Sequence, residues 1–450
     1  MAAVYGVEER CVLPVRGAMH AIELVLRLIK RDDRRGIAST PSAPLSRLCE
    51  LYGVEQCAPP DAAAAVARPN DETEVRSFTS RCPDCILLID ERDIEIRRRP
   101  SLSAFATSQP RIAVYREISP IYGVKAPLCG AIVADRALIA RLASVLEPDF
   151  LPALLAEEAL AALAPQRLAL LDGRIGDMAR EWARLRDGLA TSPMAMSIVD
   201  DAATAFSVVP TDAAEILLRA RRLEAPVFDE GNGRLRVAVA DPQANERTLA
   251  VFGASHERRA PRIAEATRET KETRIAVRVD LDRAGTVRIA TGVGYFDHML
   301  EQIAAHSGIS VQLACDGDVH VDLHHSIEDC ALALGSALSK ALGERRGIAR
   351  YGFTLPMDEA AAHVSIDLGG RPYAVFEGAF AAPTIGAYPT EMTAHVFRSL
   401  AQSLGAAIHV SVKGENDHHK TEASFKAFAR ALRAAIAIEG DEVPSTKGVV

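Results

Sequence analysis

Polar and apolar positions alternate most clearly after residue 270. Ile275, Val277, Val279 and Leu281 are interleaved with Arg274, Arg278, Asp280 and Asp282, a period of two that predicts a half-buried strand over 274–281. Further strands are expected at 286–290 and 309–314, with a helical pattern opening at His298 between them. Val319 to Leu323 reads as another strand, and Ser326 to Leu338 as a helix carrying Leu332, Leu334 and Leu338 on its apolar face. A second set follows: strands at 363–368 and 372–377, a helical pattern around His395, and a strand at 407–412. Upstream, Ala254 to Thr270 is highly charged, holds Pro261 and has weak periodicity, so it reads as a linker or frayed lead-in. At 450 residues the chain exceeds one ordinary core. Two domains are therefore expected, over 1–255 and 262–450.

The two sets of elements repeat each other. His324-His325-Ser326-Ile327-Glu328 and His418-His419-Lys420-Thr421-Glu422 share a His-His-x-x-Glu pattern 94 residues apart, and the lone His298 and His395 are 97 apart. This predicts a duplicated half-domain of α+β type, each half a small sheet backed by two helices, with the helical faces buried against each other or another subunit. If a helix begins at each histidine pair, the first histidine and the glutamate lie four residues apart on one face. The second histidine points about 100° round the axis. Imidazole with carboxylate suits Mn, Fe or Zn, and no thiolate joins the set. The eight candidate ligands are His298, His324, His325, Glu328, His395, His418, His419 and Glu422, enough for two ions with positions open for substrate. The remaining lone histidines, His306, His320, His363 and His409, are each expected to be core residues.

Composition narrows the function classes. With 48% hydrophobic and 25% charged residues the chain is that of a soluble globular protein, and a net charge of −8 argues against a general nucleic-acid partner. The most apolar run, Leu151 to Leu163, is short and contains Glu157 and Glu158, so a buried or amphipathic helix is expected rather than a membrane span. No signal peptide is visible, and eight irregularly spaced cysteines suggest a reducing compartment, the cytoplasm. Ten of the twelve histidines lie between His298 and His419, and before Lys271 the only lysines are Lys30 and Lys125. The two halves read as different proteins.

With these residues in hand, the C-terminal half resembles imidazoleglycerol-phosphate dehydratase. The matching signatures are Thr270-Lys-Glu-Thr273, Phe296-Asp-His-Met-Leu300, Asp322-Leu-His-His-Ser-Ile-Glu-Asp329, Gly414-Glu-Asn-Asp-His-His-Lys-Thr-Glu422 and Pro444-Ser-Thr-Lys-Gly448. The resemblance implies two manganese ions per active site, held by the eight residues above, and dehydration of imidazoleglycerol phosphate to imidazoleacetol phosphate in histidine biosynthesis. It makes Glu272 an acid/base on the substrate side, with Glu328 and Glu422 in the catalytic set. It places His306 near the substrate and gives Arg350, Arg371, Ser445 and Lys447 to substrate binding, largely to its phosphate. No carbonyl acidifies the C–H bond to be broken, and the family's scheme uses the metal-held imidazole ring as electron sink. The family also assembles trimers into a large cubic homo-oligomer with metals at subunit contacts.

The N-terminal half fits less well. Dehydratases of this kind are fused in some bacteria to a haloacid-dehalogenase-type phosphatase, but residues 1–40 lack the required Asp-x-Asp motif. A weaker resemblance is to histidinol-phosphate aminotransferase, a fold-type I pyridoxal phosphate enzyme. It rests on Arg16-Gly-Ala-Met-His-Ala-Ile-Glu, Pro69-Asn-Asp-Glu-Thr, Ile86-Leu-Leu-Ile-Asp90-Glu91 and Arg116-Glu-Ile-Ser-Pro-Ile-Tyr-Gly, with Leu235-Arg236 further on. Pro120 stands where the cofactor-bearing lysine belongs, Leu128 where a phosphate-binding arginine belongs, and Asp93 where a tyrosine belongs. Lys125 is a poor substitute five residues on. The first domain is therefore expected to be a partial, degenerate α/β aminotransferase-like module that binds no pyridoxal phosphate. The alternative is a bifunctional protein whose first half still transaminates. Asp90 and Arg236 suit structural ion pairs equally well, and Cys82-Pro-Asp-Cys85 is read as two reduced cysteines before a buried strand.

Overall fold

In the computed structural model the described residues are 1–33, 36–39, 43–118, 120–124, 129–148, 150–202, 204–254, 261–352 and 356–444. The chain divides into two compact units, one of Met1–Ala164 with Arg174–Arg258, the other of Pro165–Gly173 with Arg259–Val450.

The second unit is a duplication. Its first half contains strands β1 (Ile263–Glu269), β2 (Thr273–Asp280) and β3 (Val287–Ala290), helix α1 (Gly294–Ser307), strand β4 (Ser310–Gly317) and helix α2 (Leu323–Leu342). The second half repeats this with β5 (Tyr351–Gly352), β6 (Ala360–Asp367), β7 (Tyr373–Glu377), α3 (Met392–Leu404), β8 (Ala407–Lys413) and α4 (Asp417–Ala435). The sheet orders correspond: β1-β2-β4-β3 and β5-β6-β8-β7, with only the last pair of each parallel. The caps repeat too. Asp322 and Asn416 accept from backbone N–H groups of α2 and α4, while Gly308 and Gly405 end α1 and α3 in the left-handed conformation that glycine adopts without strain.

What joins the halves is an exchange of helix partners. α2 packs on β1 and β2 of its own half and on α3 of the other, while α4 packs on β6 and on α1. One hydrophobic core results, running from Val277 and Phe296 through Leu334 and Phe397 to Phe428 and Leu432. The α2–α3 approach is close. A Cβ on Gly335 would lie 1.9 Å from the Ser403 Oγ and 3.1 Å from the Leu404 backbone nitrogen.

Three expectations from the sequence change here. The charged lead-in is partly strand β1, paired along its length with β2. As an edge strand with one covered face and several charged residues, it lacks the apolar content that signals a central strand. Val319–Leu323 is a turn rather than a strand: the Val321 N–H donates to the Asp318 carbonyl, Val321 is 71% exposed, and Asp322 caps α2. The β2 strand is buried on both faces, Arg278 and Asp280 included, and its neighbour Gln312 on β4 is buried as well. Residues Pro165–Gly173 lie against this outer face, where Gln312 Nε2 is 3.5 Å from the Ala169 carbonyl and Arg288 pairs with Asp172 at 2.7 Å. The alternating pattern of β2 could not foresee that covering segment.

The first unit is α/β. Its main sheet orders Val12–Val15, Cys129–Ala134, Ile112–Ile118, Ile86–Asp90, Ala64–Ala67 and Ile37–Ala38, and Cys129–Ala134 runs antiparallel to both neighbours. The helix Ala18–Arg31 packs on one face through Leu24, Val25 and Leu28. A second, antiparallel sheet holds Ala195–Ala202, Ala205–Pro210, Arg234–Ala238 and Val227–Gly231. The apolar run near 151–163 does form a helix, Ala153–Ala162, with Ala159 and Ala162 buried but Leu154 and Leu160 exposed. Among the described residues no helix is long and apolar enough to cross a membrane.

Two outcomes follow from this packing. Replacing Gly335 by Val forces α2 and α3 apart, and overpacking of this kind costs about 1–3 kcal/mol, readable as a lower melting temperature. In the first unit, burial raises the Glu147 carboxyl, but hydrogen bonds from its own backbone and from Arg27, with the Arg27 and His20 charges, outweigh it and hold the group down at about 2. A depressed carboxylate stabilises the fold above its unfolded value and loses that contribution as pH falls from about 4.5 toward 2. Thermal melts across that window should show a smaller acid loss for Glu147→Gln than for the wild type.

Candidate metal centre

The exchange of helix partners decides which ligands meet. On α2, His324 and Glu328 stand one turn apart, with Nε2 3.4 Å from Oε2. α3 brings His395 from the other half, its Nδ1 4.0 Å from the Glu328 Oε1 and its ring 4.8 Å from that of His324. The three donors lie within 4.8 Å of one another, close enough to converge on one ion. The second set repeats the connectivity but is more open, since among the described residues only the first three donors all lie within 4.8 Å of one another. His418 and Glu422 on α4 are 3.3 Å apart, and His298 on α1 reaches to 4.0 Å from the Glu422 Oε1. Each group therefore takes a histidine and a glutamate from one half and its third ligand from the other.

The second histidine of each pair turns away, as helix geometry requires. The ring planes of His324 and His325 are inclined at 71° and those of His418 and His419 at 88°, with centroids 6.0 Å apart in each pair. His325 Nδ1 is 3.7 Å from the Glu272 Oε2, too far for a hydrogen bond, and His419 Nδ1 meets the Glu359 Oε2 at 2.8 Å. Glu359 is absent from the ligand and substrate set read from the sequence. Only the repeat could have found it, because it precedes β6 as Glu272 precedes β2.

The turn carrying Glu272 is pinned to α2. Asp329, the residue after Glu328, accepts from Arg268 Nε at 2.6 Å and from the Thr273 hydroxyl at 2.7 Å, and the Thr270 hydroxyl supports the turn by accepting from the Glu272 and Thr273 N–H groups. The Thr270-Lys-Glu-Thr273 signature is thus a hairpin turn fixed from beneath, with Glu272 46% exposed above it.

The donors fit divalent metal. His325 Nδ1 and His395 Nδ1 are buried atoms without a hydrogen-bond partner, and six nitrogens with two carboxylates form a borderline donor set. The two groups differ in charge. Burial raises the Glu422 carboxyl, yet Lys426, 2.8 Å from its Oε1, together with the His418 and His298 charges lowers it overall. The hydrogen bond with Glu359 raises the His419 imidazole and lowers the Glu359 carboxyl.

The remaining expected residues are scattered around these groups. His306 is half-buried on α1 and bonded to Gln302, and burial, then the Lys426 and Arg430 charges, depresses it. Arg350 sits at φ 70° and forks onto Asp367 at 2.6 and 3.1 Å, while donating to the Pro444 carbonyl at 2.9 Å. Arg371 is exposed ahead of β7. Ser445 and Lys447 lie outside the described residues, as do Lys125 and Leu128. His320, His363 and His409 are exposed, contrary to the core expectation, because His363 and His409 take outward positions on β6 and β8 and His320 lies in the turn before α2.

In the first unit, Asp90 is clamped by Arg92 at 2.7 Å and Arg68 at 2.9 Å. Arg236 is 3.9 Å from Glu230, and Cys82 and Cys85 are buried and not joined by a disulfide.

Comparison with known proteins finds relatives over this region. Residues 291–432 fit the family Imidazoleglycerol-phosphate dehydratase. The histidine biosynthesis bifunctional protein HisB of Stenotrophomonas maltophilia (strain R551-3) is 56% identical over 191 residues, which are 42% of this chain and 54% of that protein. The chain thus spans about half the length of the curated relatives it matches. Among solved structures, imidazoleglycerol-phosphate dehydratase from Staphylococcus aureus subsp. aureus N315 is 32% identical, covering 39% of this chain and 99% of that one with a TM-score of 0.36. The histidinol-phosphate aminotransferase from Clostridium acetobutylicum is 12% identical, covering 56% of this chain and 85% of that one with a TM-score of 0.45. On its sequence match and its histidine pattern, the C-terminal region of this chain belongs to the imidazoleglycerol-phosphate dehydratase family.

Proposed function

We propose that the C-terminal unit removes water from D-erythro-imidazoleglycerol phosphate to give imidazoleacetol phosphate in L-histidine biosynthesis, with two manganese ions per active site. The observation that carries this reading is the convergence of His324, Glu328 and His395 within 4.8 Å, with the duplicated counterparts His298, His418 and Glu422 brought near one another by the same helix exchange. These residues would hold the ions, and His325 and His419, turned out of both groups, would complete ligand sets at contacts between copies in a large homo-oligomer built from trimers. Bound manganese supplies Lewis acidity toward the substrate's imidazole ring.

The chain's own residues account for the rest. Glu272 stands on a fixed turn with its carboxylate accessible beside His325, and it would take or return the proton of the C–H bond being broken. His306 borders the substrate, and its depressed basicity keeps it neutral and able to accept or donate one hydrogen bond. Arg371 offers a guanidinium fork to phosphate. Arg350 is braced by Asp367 and donates to the Pro444 carbonyl, and with Ser445 and Lys447 it is proposed to serve the substrate's phosphate.

The first unit is proposed to be a degenerate aminotransferase-like module serving as scaffold or docking surface, without pyridoxal phosphate. The double clamp on Asp90 supports this, since that carboxylate is already neutralised by Arg68 and Arg92. None of the eight cysteines forms a disulfide, in keeping with the proposed cytoplasmic location.

Three outcomes test these readings. Purified protein reconstituted with Mn2+ should turn over imidazoleglycerol phosphate, and Glu328→Gln should abolish turnover while leaving the far-UV circular dichroism intact; an active variant would remove Glu328 from the site. Asp329→Ala removes the carboxylate that accepts from buried Thr273 and from Arg268 and should cost about 1–3 kcal/mol. It should also speed amide exchange at 270–273, which mass spectrometry reads directly. Incubation with pyridoxal phosphate should yield no bound chromophore; an absorbance band trapped on a lysine by borohydride would instead establish a transaminating first half.

A further inference from the structure

The repeat supplies two turn carboxylates, not one. Thr273 pairs with Gly317 at the end of β4, and Ala361 pairs with Lys413 at the end of β8, one step before Gly414. That register makes Ala360 the counterpart of Thr273 and Glu359 the counterpart of Glu272. Each glutamate faces the outward histidine of its own half. The environments have diverged. Glu359 is held at both oxygens: Oε1 accepts from the Asn416 N–H at 3.1 Å, and Oε2 meets His419 Nδ1 at 2.8 Å. Asn416 in turn caps α4 through the N–H groups of His418 and His419. Carboxylate, cap and histidine pair form one closed unit. In the first half no such closure exists, since Glu272 Oε2 stops 3.7 Å short of His325 Nδ1 and Asp322 caps α2 without involving Glu272.

We propose that Glu359 is a positioning residue for the metal centre: it fixes the tautomer and orientation of His419, with Nδ1–H donated to the carboxylate and Nε2 presented to an ion. A carboxylate on the far nitrogen of a metal-bound histidine orients the ring and raises its basicity, and loss of such a partner weakens metal binding by about 10–100-fold. Duplication has thus split one ancestral position into two tasks. Glu359 is locked to hold a ligand, and Glu272 is left loose to move a proton. This inference rests on the dinuclear reading above.

The test is Mn2+ titration of full-length protein by equilibrium dialysis with elemental analysis, for wild type, Glu359→Ala, Glu359→Gln and Glu272→Gln. Wild type should hold two Mn2+ per chain; failure there would overturn the dinuclear reading itself, independently of Glu359. Glu359→Ala should weaken one of the two sites by about 10–100-fold, with Glu359→Gln weakened less because its amide oxygen still accepts from Nδ1–H. Dehydratase activity of both Glu359 variants should return at excess Mn2+, whereas Glu272→Gln should bind Mn2+ like wild type and stay slow at any Mn2+ concentration. The isosteric glutamine variant keeps the test valid should the alanine variant misfold. Two sites of wild-type affinity in Glu359→Ala, or a Glu359→Gln defect that excess Mn2+ fails to rescue, would overturn the proposal.

Discussion

The packing of α2 against α3 and of α1 against α4 is the constraint from which the centre follows. Each half of the duplication carries two of the three donors of one group on a single helix, one turn apart. Neither half can supply the third, because α1 and α3 reach the opposite partner. Burial of the apolar faces of these helices, from Leu334 to Phe428, therefore also assembles the donor groups. The hydrophobic term is non-directional and large, and the weak, directional preferences of imidazole and carboxylate are met as a by-product of it. Gly335 marks where the two requirements coincide, since backbone-close contact there sets the separation of the helices that bear His324, Glu328 and His395.

The first unit is organised differently. Its parallel strands are buried on both faces and end in a set of paired charges: Asp90 with Arg68 and Arg92, and Arg116 with Glu95 and Glu91. Burial raises Glu91 even with Ser101 and the Leu102 N–H bonded to it. Charges buried this way are committed to one another, and breaking one partner costs more than the pair contributes. The second unit adds to such pairs, as in Arg350 with Asp367, a set of imidazole and carboxylate groups gathered on facing helices.

Much of this was legible in the sequence, because a duplication states its rules twice. The spacing of His298 to His395 and of His324 to His418 survives as matching helices, caps and strand orders. Other features were hidden for definite reasons. β1 is an edge strand whose charges mask its pairing, and Val319–Leu323 has the apolar look of a strand while its turn is dictated by the Asp318 carbonyl and the Asp322 cap. The burial of Arg278 depends on residues 165–173, more than a hundred positions away. Glu359 escaped notice because the motif ends at the histidine pair, and the carboxylate that serves it comes from a hairpin 60 residues upstream. Which histidine joins which group was equally closed to pattern reading, since that depends on helix crossing and not on spacing.

The ammonium group of Lys426, 2.8 Å from the Glu422 carboxylate, has no counterpart in the first half, where the corresponding position is Leu332. The Glu422 carboxylate is thus balanced by a cation on a flexible four-carbon stem, whereas Glu328 has only imidazole beside it. A duplicated pair of donor sets is therefore electrostatically unequal even where its donor atoms correspond.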